Sequence, residues 1–438
     1  MNSYVNSHFR KRSAIYIMNY KRISLGDNIG YAAFVDEKFN TCSIRITMIV
    51  PMSRDTVSEY AVAGDILSDV NSCYPTIAAM NEKLSELYGA SLSSSISQRG
   101  DQQIISLSSS WLADRFAIED EEITKEMLNI VTDCLFNPLA DDNGFNEDIF
   151  RLSKKEILDS IDARFNDKRD YTITKARETA YKGEPSEISA TGSRESAEAV
   201  TPESAYKAYK KLLETAQIEI GFVAPTEHPE IPLLFKEKFA SISRNSCRYN
   251  FYAPSPLKNS PVISAEEFDV RQAKIALNFK YDTDDIDAVH LMCVIWGGTP
   301  VSKLFMNVRE KLSLCYYCAC RMSEFKNTVT VDCGVEKANI EKASDEIMAQ
   351  LEEIRNGNIS DEELQSALLA LENAYTSFGD TPASYISWYF DCMCRDKYIS
   401  PTEHLEELFA VTKERIIEAA KNIKFDSAYH MLNKEAEQ

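Results

Sequence analysis

Residues 297–316 read Gly297-Gly298-Thr299-Pro300-Val301-Ser302-Lys303-Leu304-Phe305, then Met306-Asn307-Val308, then Arg309-Glu310-Lys311-Leu312-Ser313-Leu314-Cys315-Tyr316. The paired glycines follow a helix-like run, Asp284–Trp296, and read as its C-cap, where glycine adopts the required backbone without a Cβ penalty. A phosphate-binding turn is the rival reading. It would follow a strand, and the chain holds no Gly-x-Gly-x-x-Gly. A second helix, Val301–Leu312, leads into two short strands, the second at Thr328–Cys333. Upstream, Ala273, Ile275, Leu277 and Phe279 alternate with other residues, the pattern of a half-buried strand.

The same order occurs earlier in the chain. Cys42, Ile44, Ile46 and Met48 alternate as a strand, followed by helices at Thr56–Asp69 and Ile77–Tyr88 and a strand at Gln103–Ser108. A helix at Glu147–Asp162 has its mate at Asp361–Tyr375, an offset of 361 − 147 = 214, and Ser360 with Glu363 makes a capping box for the second. Thr201-Pro202 and Thr412, 412 − 201 = 211 apart, each open a helix, with threonine as N-cap and Pro202 at the first helical position. Strands at Ile218–Val223 and Tyr429–Leu432 follow them. Several elements in one order at one offset predict two homologous domains of α+β class, each a mostly antiparallel sheet flanked by helices. The expected division is an N-terminal extension at 1–18, a first domain at 19–224, a linker at 225–261 with a short helix at Leu233–Ala240, and a second domain at 262–438.

The bulk numbers limit the function. At 438 residues the chain is too long for one compact core. A formal net charge of −20 with no basic stripe argues against nucleic-acid binding. No apolar run is long enough to span a bilayer, and Met1–Met18, with Arg10, Lys11 and Arg12, lacks the apolar stretch of a secretory signal; Met18 is an alternative start. Eleven cysteines spread along the chain are not a disulfide framework and fit a reducing cytoplasm. The acidic runs Glu119–Glu122 and Asp282–Asp287 suit helix starts, where the dipole favours them; they could also draw basic substrates.

Few residues carry chemistry by spacing alone. The five histidines are isolated, and His404 has Glu407 after it but no second histidine. Cys315, Cys318 and Cys320 form a lone Cys-x-x-Cys with no second pair, which reads as strand packing, as do Cys392 and Cys394. No cysteine has a base in a nucleophile signature.

The stretch at 297–316 resembles the C-terminal domain of the M16 metallopeptidases, the family of insulinase and the mitochondrial processing peptidase. There a Gly-Gly turn, a Ser-x-Leu-Phe helix, Arg-Glu-Lys and Leu-x-Tyr occur in this order. Asn137-Pro138, the helix end Leu87-Tyr88-Gly89-Ala90 and the duplicated threonine-led helices extend the resemblance over nearly the whole chain. It implies the LuxS/MPP-like metallohydrolase fold, with the two domains facing each other across a hollow. Active members carry His-x-x-Glu-His on a helix of the first domain, two histidines for Zn²⁺ and a glutamate for its water. The corresponding helix here is Glu59–Val70, and the motif position, Ala61–Asp65, reads Ala-Val-Ala-Gly-Asp. No histidine lies between His8 and His228. The third ligand falls near Ser153, beside Lys154, Lys155 and Glu156, so the family's metal site is absent and no cofactor is expected in this chain. Arg309 and Tyr316 match the arginine and tyrosine with which the family binds substrate, though a helix-terminal arginine and a strand tyrosine are also ordinary structural residues. The resemblance, closest to a bacterial branch of non-catalytic subunits, implies a zinc-free chain paired as a heterodimer with a zinc-bearing His-x-x-Glu-His homologue. A homodimer in isolation and a peptide-binding scaffold without proteolysis are the alternatives.

Overall fold

The computed structural model describes residues 20–434; the expected extension at 1–18 lies outside the described residues. Along the first half run β1 (Tyr20–Gly26), β2 (Ile29–Val35), β3 (Thr41–Pro51), α1 (Val57–Ile66), α2 (Ile77–Glu86), β4 (Ser91–Arg99), β5 (Gln102–Leu112) and α3 (Ile123–Phe136). A two-stranded ribbon, β6 (Ala140–Asp141) with β7 (Gly144–Phe145), precedes α4 (Glu147–Ala163), α5 (Lys168–Ala180), α6 (Arg194–Ala199), α7 (Pro202–Thr215) and β8 (Gln217–Ala224). After α8 (Glu230–Ala240) the second half has β9 (Val262–Phe268), β10 (Ala273–Tyr281), α9 (Ile286–Gly297), a π-helix at Leu304–Lys311, β11 (Cys315–Ser323) and β12 (Thr328–Val335). It ends in α10 (Ile340–Arg355), α11 (Asp361–Thr376), α12 (Pro382–Arg395), α13 (Pro401–Phe409), α14 (Lys413–Lys421) and β13 (Ile423–Asn433).

The strand order is β1-β2-β8-β3-β5-β4 in the first sheet and β9-β13-β10-β12-β11 in the second. Apart from β1, the two orders superimpose strand for strand. Each sheet contains one parallel pair, β2 with β8 and β9 with β13, and is otherwise antiparallel. The α+β class expected from the sequence is therefore the one observed. The caps also fall where the residues point: Thr201 and Ser360 close capping boxes, and Thr412 accepts from the Arg415 N–H.

Each sheet has two covered faces. On one face of the first sheet, α1, α3 and α7 enclose Ile44, Ile46, Met48, Ile105 and Leu107, all at most 1% exposed. The other face is covered by a helix from the opposite half. Ile386 of α12 lies on β8, where a Cβ added to Gly221 would stand 2.7 Å from Ile386 Cγ2. Tyr389 Oη donates to Glu219 Oε2 at 2.7 Å, and Arg22 Nη2 pairs with Glu219 Oε1 at 2.7 Å. Reciprocally, α5 lies on the second sheet, with Ala176 packed against Ala276, Tyr429 and Met431 and its carbonyl accepting from Asn278 Nδ2 at 2.9 Å. The helices α5 and α12 begin 382 − 168 = 214 residues apart, so the interleaving itself obeys the repeat. Between the halves, α8 sends Ile231, Phe235 and Phe239 into the first core. Lys326, almost wholly buried, bridges Asp101 at 3.0 Å and Glu184 at 2.8 Å.

Candidate functional site

Tyr316 and Arg309 sit where the second sheet ends. Strand β11 is its outermost strand, hydrogen-bonded on one side only. The pairing of β11 with β12 steps from Cys315–Val335 to Tyr317–Gly334, so Tyr316 is the extra residue of a β-bulge. A bulge re-aims a side chain off the sheet, and Tyr316 is 69% exposed. Arg309 lies in the π-helix rather than the α-helix read from the sequence. The wider coil appears in the Leu312 N–H bond to the Asn307 carbonyl and places Arg309 over the Phe305 ring at 4.4 Å. The π-form recurs at functional sites. Arg309 is half-exposed and its nearest ion-pair partner is its neighbour Glu310, at 3.5 Å. The coil is anchored from behind: Lys303 pairs with Glu363 at 3.0 Å, and Asn307 Nδ2 donates to Gln350 Oε1 at 2.9 Å.

The cysteines around it pack as expected. Cys318 faces Cys333 across β11 and β12, and both are buried. Cys315 is held below the usual thiol range by hydrogen bonds from Cys318 and Cys333, with a contribution from the Arg309 charge. All eleven cysteines are unpaired.

In the first half, α1 carries Ala61–Asp65, the stretch expected at the motif position. Ala61, Val62 and Ala63 are fully buried, and Gly64 lies so close to the sheet that a Cβ would clash with Ile105 Cγ2. Beside this stretch stands an acidic cluster. Oxygens of Asp65, Asp69 and Glu156 lie within 4.8 Å of one another, and Ser153 Oγ donates to Asp69 Oδ2 at 3.3 Å. The sequence points to Asp65, Ser153 and the neighbouring Glu156, but not to Asp69 or to the grouping of these acids. The available signal was spacing: Asp65 with Asp69 one turn on, and Ser153 with Glu156 one turn on. Burial, with the charges of Asp69 and Glu156, pushes the Asp65 carboxyl up to about 7; burial and Glu156 push Asp69 up to about 6. The fit to zinc is poor. The set offers neither imidazole nor thiolate, the donors that Zn²⁺ centres favour, and two of its carboxyls hold protons toward neutral pH. No step on this chain is therefore routed through zinc.

These features define an α+β fold of two related sheets, each packed against a helix from the opposite half. The chain matches, over residues 199–371, the family model described as "Peptidase M16 inactive domain". It is similar to the "Probable inactive metalloprotease YmfF" of Bacillus subtilis (strain 168), 25% identical over 400 residues that cover 90% of this chain and 93% of that protein. Among solved structures it resembles a conserved protein from Enterococcus faecalis V583, with a TM-score of 0.89 at 23% identity over 96% of this chain and all of that one. It also resembles a peptidase M16 inactive domain from Pseudomonas fluorescens, with a TM-score of 0.77 at 14% identity over 96% of this chain and all of that one.

Proposed function

We propose that the chain is the non-catalytic subunit of a heterodimeric peptidase whose zinc resides in a homologous partner carrying His-x-x-Glu-His. The observation that carries this reading is the asymmetry between the halves. The first half presents a cluster of carboxyl groups, Asp65, Asp69 and Glu156, with no imidazole or thiolate where zinc ligands would stand, whereas the second half presents Arg309 and Tyr316 to solvent at a bulged sheet edge. An extended peptide can add to an unpaired strand edge through its main chain, and both β4 and β11 are such edges. Against a peptide so placed, the Arg309 guanidinium donates to a carbonyl and the Tyr316 phenol donates to an oxyanion that develops at the partner's zinc. This chain positions substrate; the partner activates water.

No described helix is long and apolar enough to cross a membrane. A bacterial cytoplasm is the location that accompanies this reading, since eleven thiols without disulfides suit a reducing compartment.

The test is hydrolysis of a quenched peptide pool by this chain, by a zinc-bearing homologue, and by the two together. Cleavage only in the mixture is the expected result. A stable complex that cleaves nothing would move the reading to a peptide-binding scaffold. Chelator-sensitive cleavage by this chain alone would overturn it.

A further inference from the structure

Away from the Arg309–Tyr316 edge, the two halves enclose a cavity of about 1040 Å³, lined among others by Asp287, His290, Arg395, Lys397, His404 and Arg415. Two of its lining residues, Asp287 and His404, belong to a donor set that the sequence did not display. His404 and Glu407 stand three residues apart, on one face of α13. The missing partner comes from α9, where Asp287 Oδ1 lies 3.1 Å from His404 Nε2. Ligand atoms of Asp287, His404 and Glu407 all fall within 4.8 Å of one another.

We propose that Asp287, His404 and Glu407 bind one divalent transition-metal ion, of the Zn²⁺ class, facing this cavity. One imidazole and two carboxylates suit such an ion, whereas Ca²⁺ and Mg²⁺ prefer oxygen-only ligands. The imidazole is prepared for the role. His404 is 8% exposed, and its Nδ1 lies 3.3 Å from Tyr375 Oη on α11. A ligating histidine needs a partner for its other nitrogen, which fixes the tautomer and the ring plane. Tyr375 serves in both states. Without metal, Tyr375 Oη and Asp287 Oδ1 partner the two ring nitrogens. With metal, Nδ1–H would donate to Tyr375 Oη and the Nε2 lone pair would face the ion.

Basic groups on the cavity wall, Arg395, Lys397 and Arg415, offset the two carboxylates of the set. His290, three residues along α9 and on the same cavity, is pushed down to about 4, chiefly by burial, and presents a neutral imidazole. Metal binding would displace the 3.1 Å contact of His404 Nε2 with Asp287 Oδ1 and share or displace the pair of Lys397 Nζ with Glu407 Oε2 at 2.6 Å. Three protein ligands leave a coordination position open toward the cavity, where a carboxylate or phosphate group could complete the shell. This site lies in the second half and does not depend on the subunit reading above.

The experiment uses the full chain, stripped with chelator and titrated with Zn²⁺ by calorimetry and with Co²⁺ by visible absorption. One equivalent should bind, with weak d–d bands and no thiolate charge-transfer band. Glu407→Gln, whose side chain touches the fold chiefly through Lys397, should stay folded by circular dichroism and bind about tenfold or more weakly. Asp287→Asn should behave alike. No stoichiometric binding, thiolate charge-transfer bands indicating ligation by cysteines, or wild-type affinity in a folded Glu407→Gln would each overturn the proposal.

Discussion

The edge strands β4 and β11 occupy the same place in two sheets of the same order, and they have diverged. Strand β4 is a regular edge. It pairs with β5 without a break from Ser91 to Arg99, and its serine-rich sequence alternates between exposed and half-buried residues. Both strands are entered through left-handed backbone, at Tyr88-Gly89 before β4 and at Ser313 before β11, but only β11 carries a bulge, at Tyr316, and follows a π-helix. A bulge and a widened coil are local departures from regular geometry, and such departures collect where a side chain has to be aimed. The helix α1 is likewise regular and closely packed, with small or acidic residues at Ala61–Asp65. The duplicated scaffold is thus irregular at the β11 edge and regular at β4 and α1.

The largest effect that can test this contrast is on turnover in the two-subunit mixture. Arg309→Ala and Tyr316→Phe should each lower the initial rate of peptide cleavage by about 100-fold, the scale for removing one donor to an oxyanion. Complex formation, followed by light scattering, should be unchanged, because both side chains face solvent. Asp65→Asn in the other half should leave the rate unchanged. Equal rates for wild type and Arg309→Ala would show that the irregular edge is not a substrate site.

The interleaved helices allow a second test, on stability. Gly221 gives Ile386 room to lie on β8, so Gly221→Val should force the α12 helix off the first sheet and cost about 3 kcal/mol, the upper range for overpacking. Ala276→Leu should do the same to α5 on the second sheet. Urea unfolding measures both. If one costs far less than the other, the exchange of helices is not symmetrical in energy although it is in topology.

The repeated order of elements was legible because alternation and capping are local signals. Cys42–Met48 became β3, Ala273–Phe279 became β10, and Ser360 with Glu363 closed its capping box. The exchange of α5 and α12 was not legible. A helix with one apolar face shows that it packs, not which sheet it packs on, and Lys168–Ala180 is mostly polar. The bulge at Tyr316 was hidden for a similar reason: one extra residue in a strand is visible only against its partner. At the candidate sites, the absence of histidine between His8 and His228 could be read directly. The grouping of Asp69, Glu156 and Asp287 with their partners could not, since each acquires its role from a residue far away in the chain.

A third test bears on the acidic cluster. An aspartate whose native pKa exceeds its unfolded value retains its proton in the native state, so across that interval the native chain binds more protons than the unfolded one. Stability then falls as pH rises. For Asp65, with a native value of about 7, the window runs from about pH 4 to 7. Asp65→Asn keeps an oxygen for the Ser94 hydroxyl and removes the charge. It should stabilise the chain at pH 8 by on the order of 2 kcal/mol and make little difference at pH 4. Equal gains at both pH values would indicate packing rather than titration.

The smallest effect separates α4 and α11, the helices that hold the same place in the two repeats. Helix α11 begins with a capping box in which Ser360 accepts from the Glu363 N–H, Glu363 Oε2 accepts from the Ser360 N–H at 2.7 Å, and Glu363 Oε1 also pairs with Lys303 at 3.0 Å. Its counterpart α4 is capped by Asn146 alone, accepting from Asp148 and Ile149. Both caps should be worth about 1 kcal/mol, but only the first is tied to the π-helix through Lys303. Ser360→Ala should therefore cost about 1 kcal/mol in urea and also loosen hydrogen exchange in Leu304–Lys311, whereas Asn146→Ala should cost as much with no change there. Unaltered exchange in both variants would mean that the π-helix is held by Asn307 and Gln350 without help from the cap, and that the coil carrying Arg309 is rigid independently of α11.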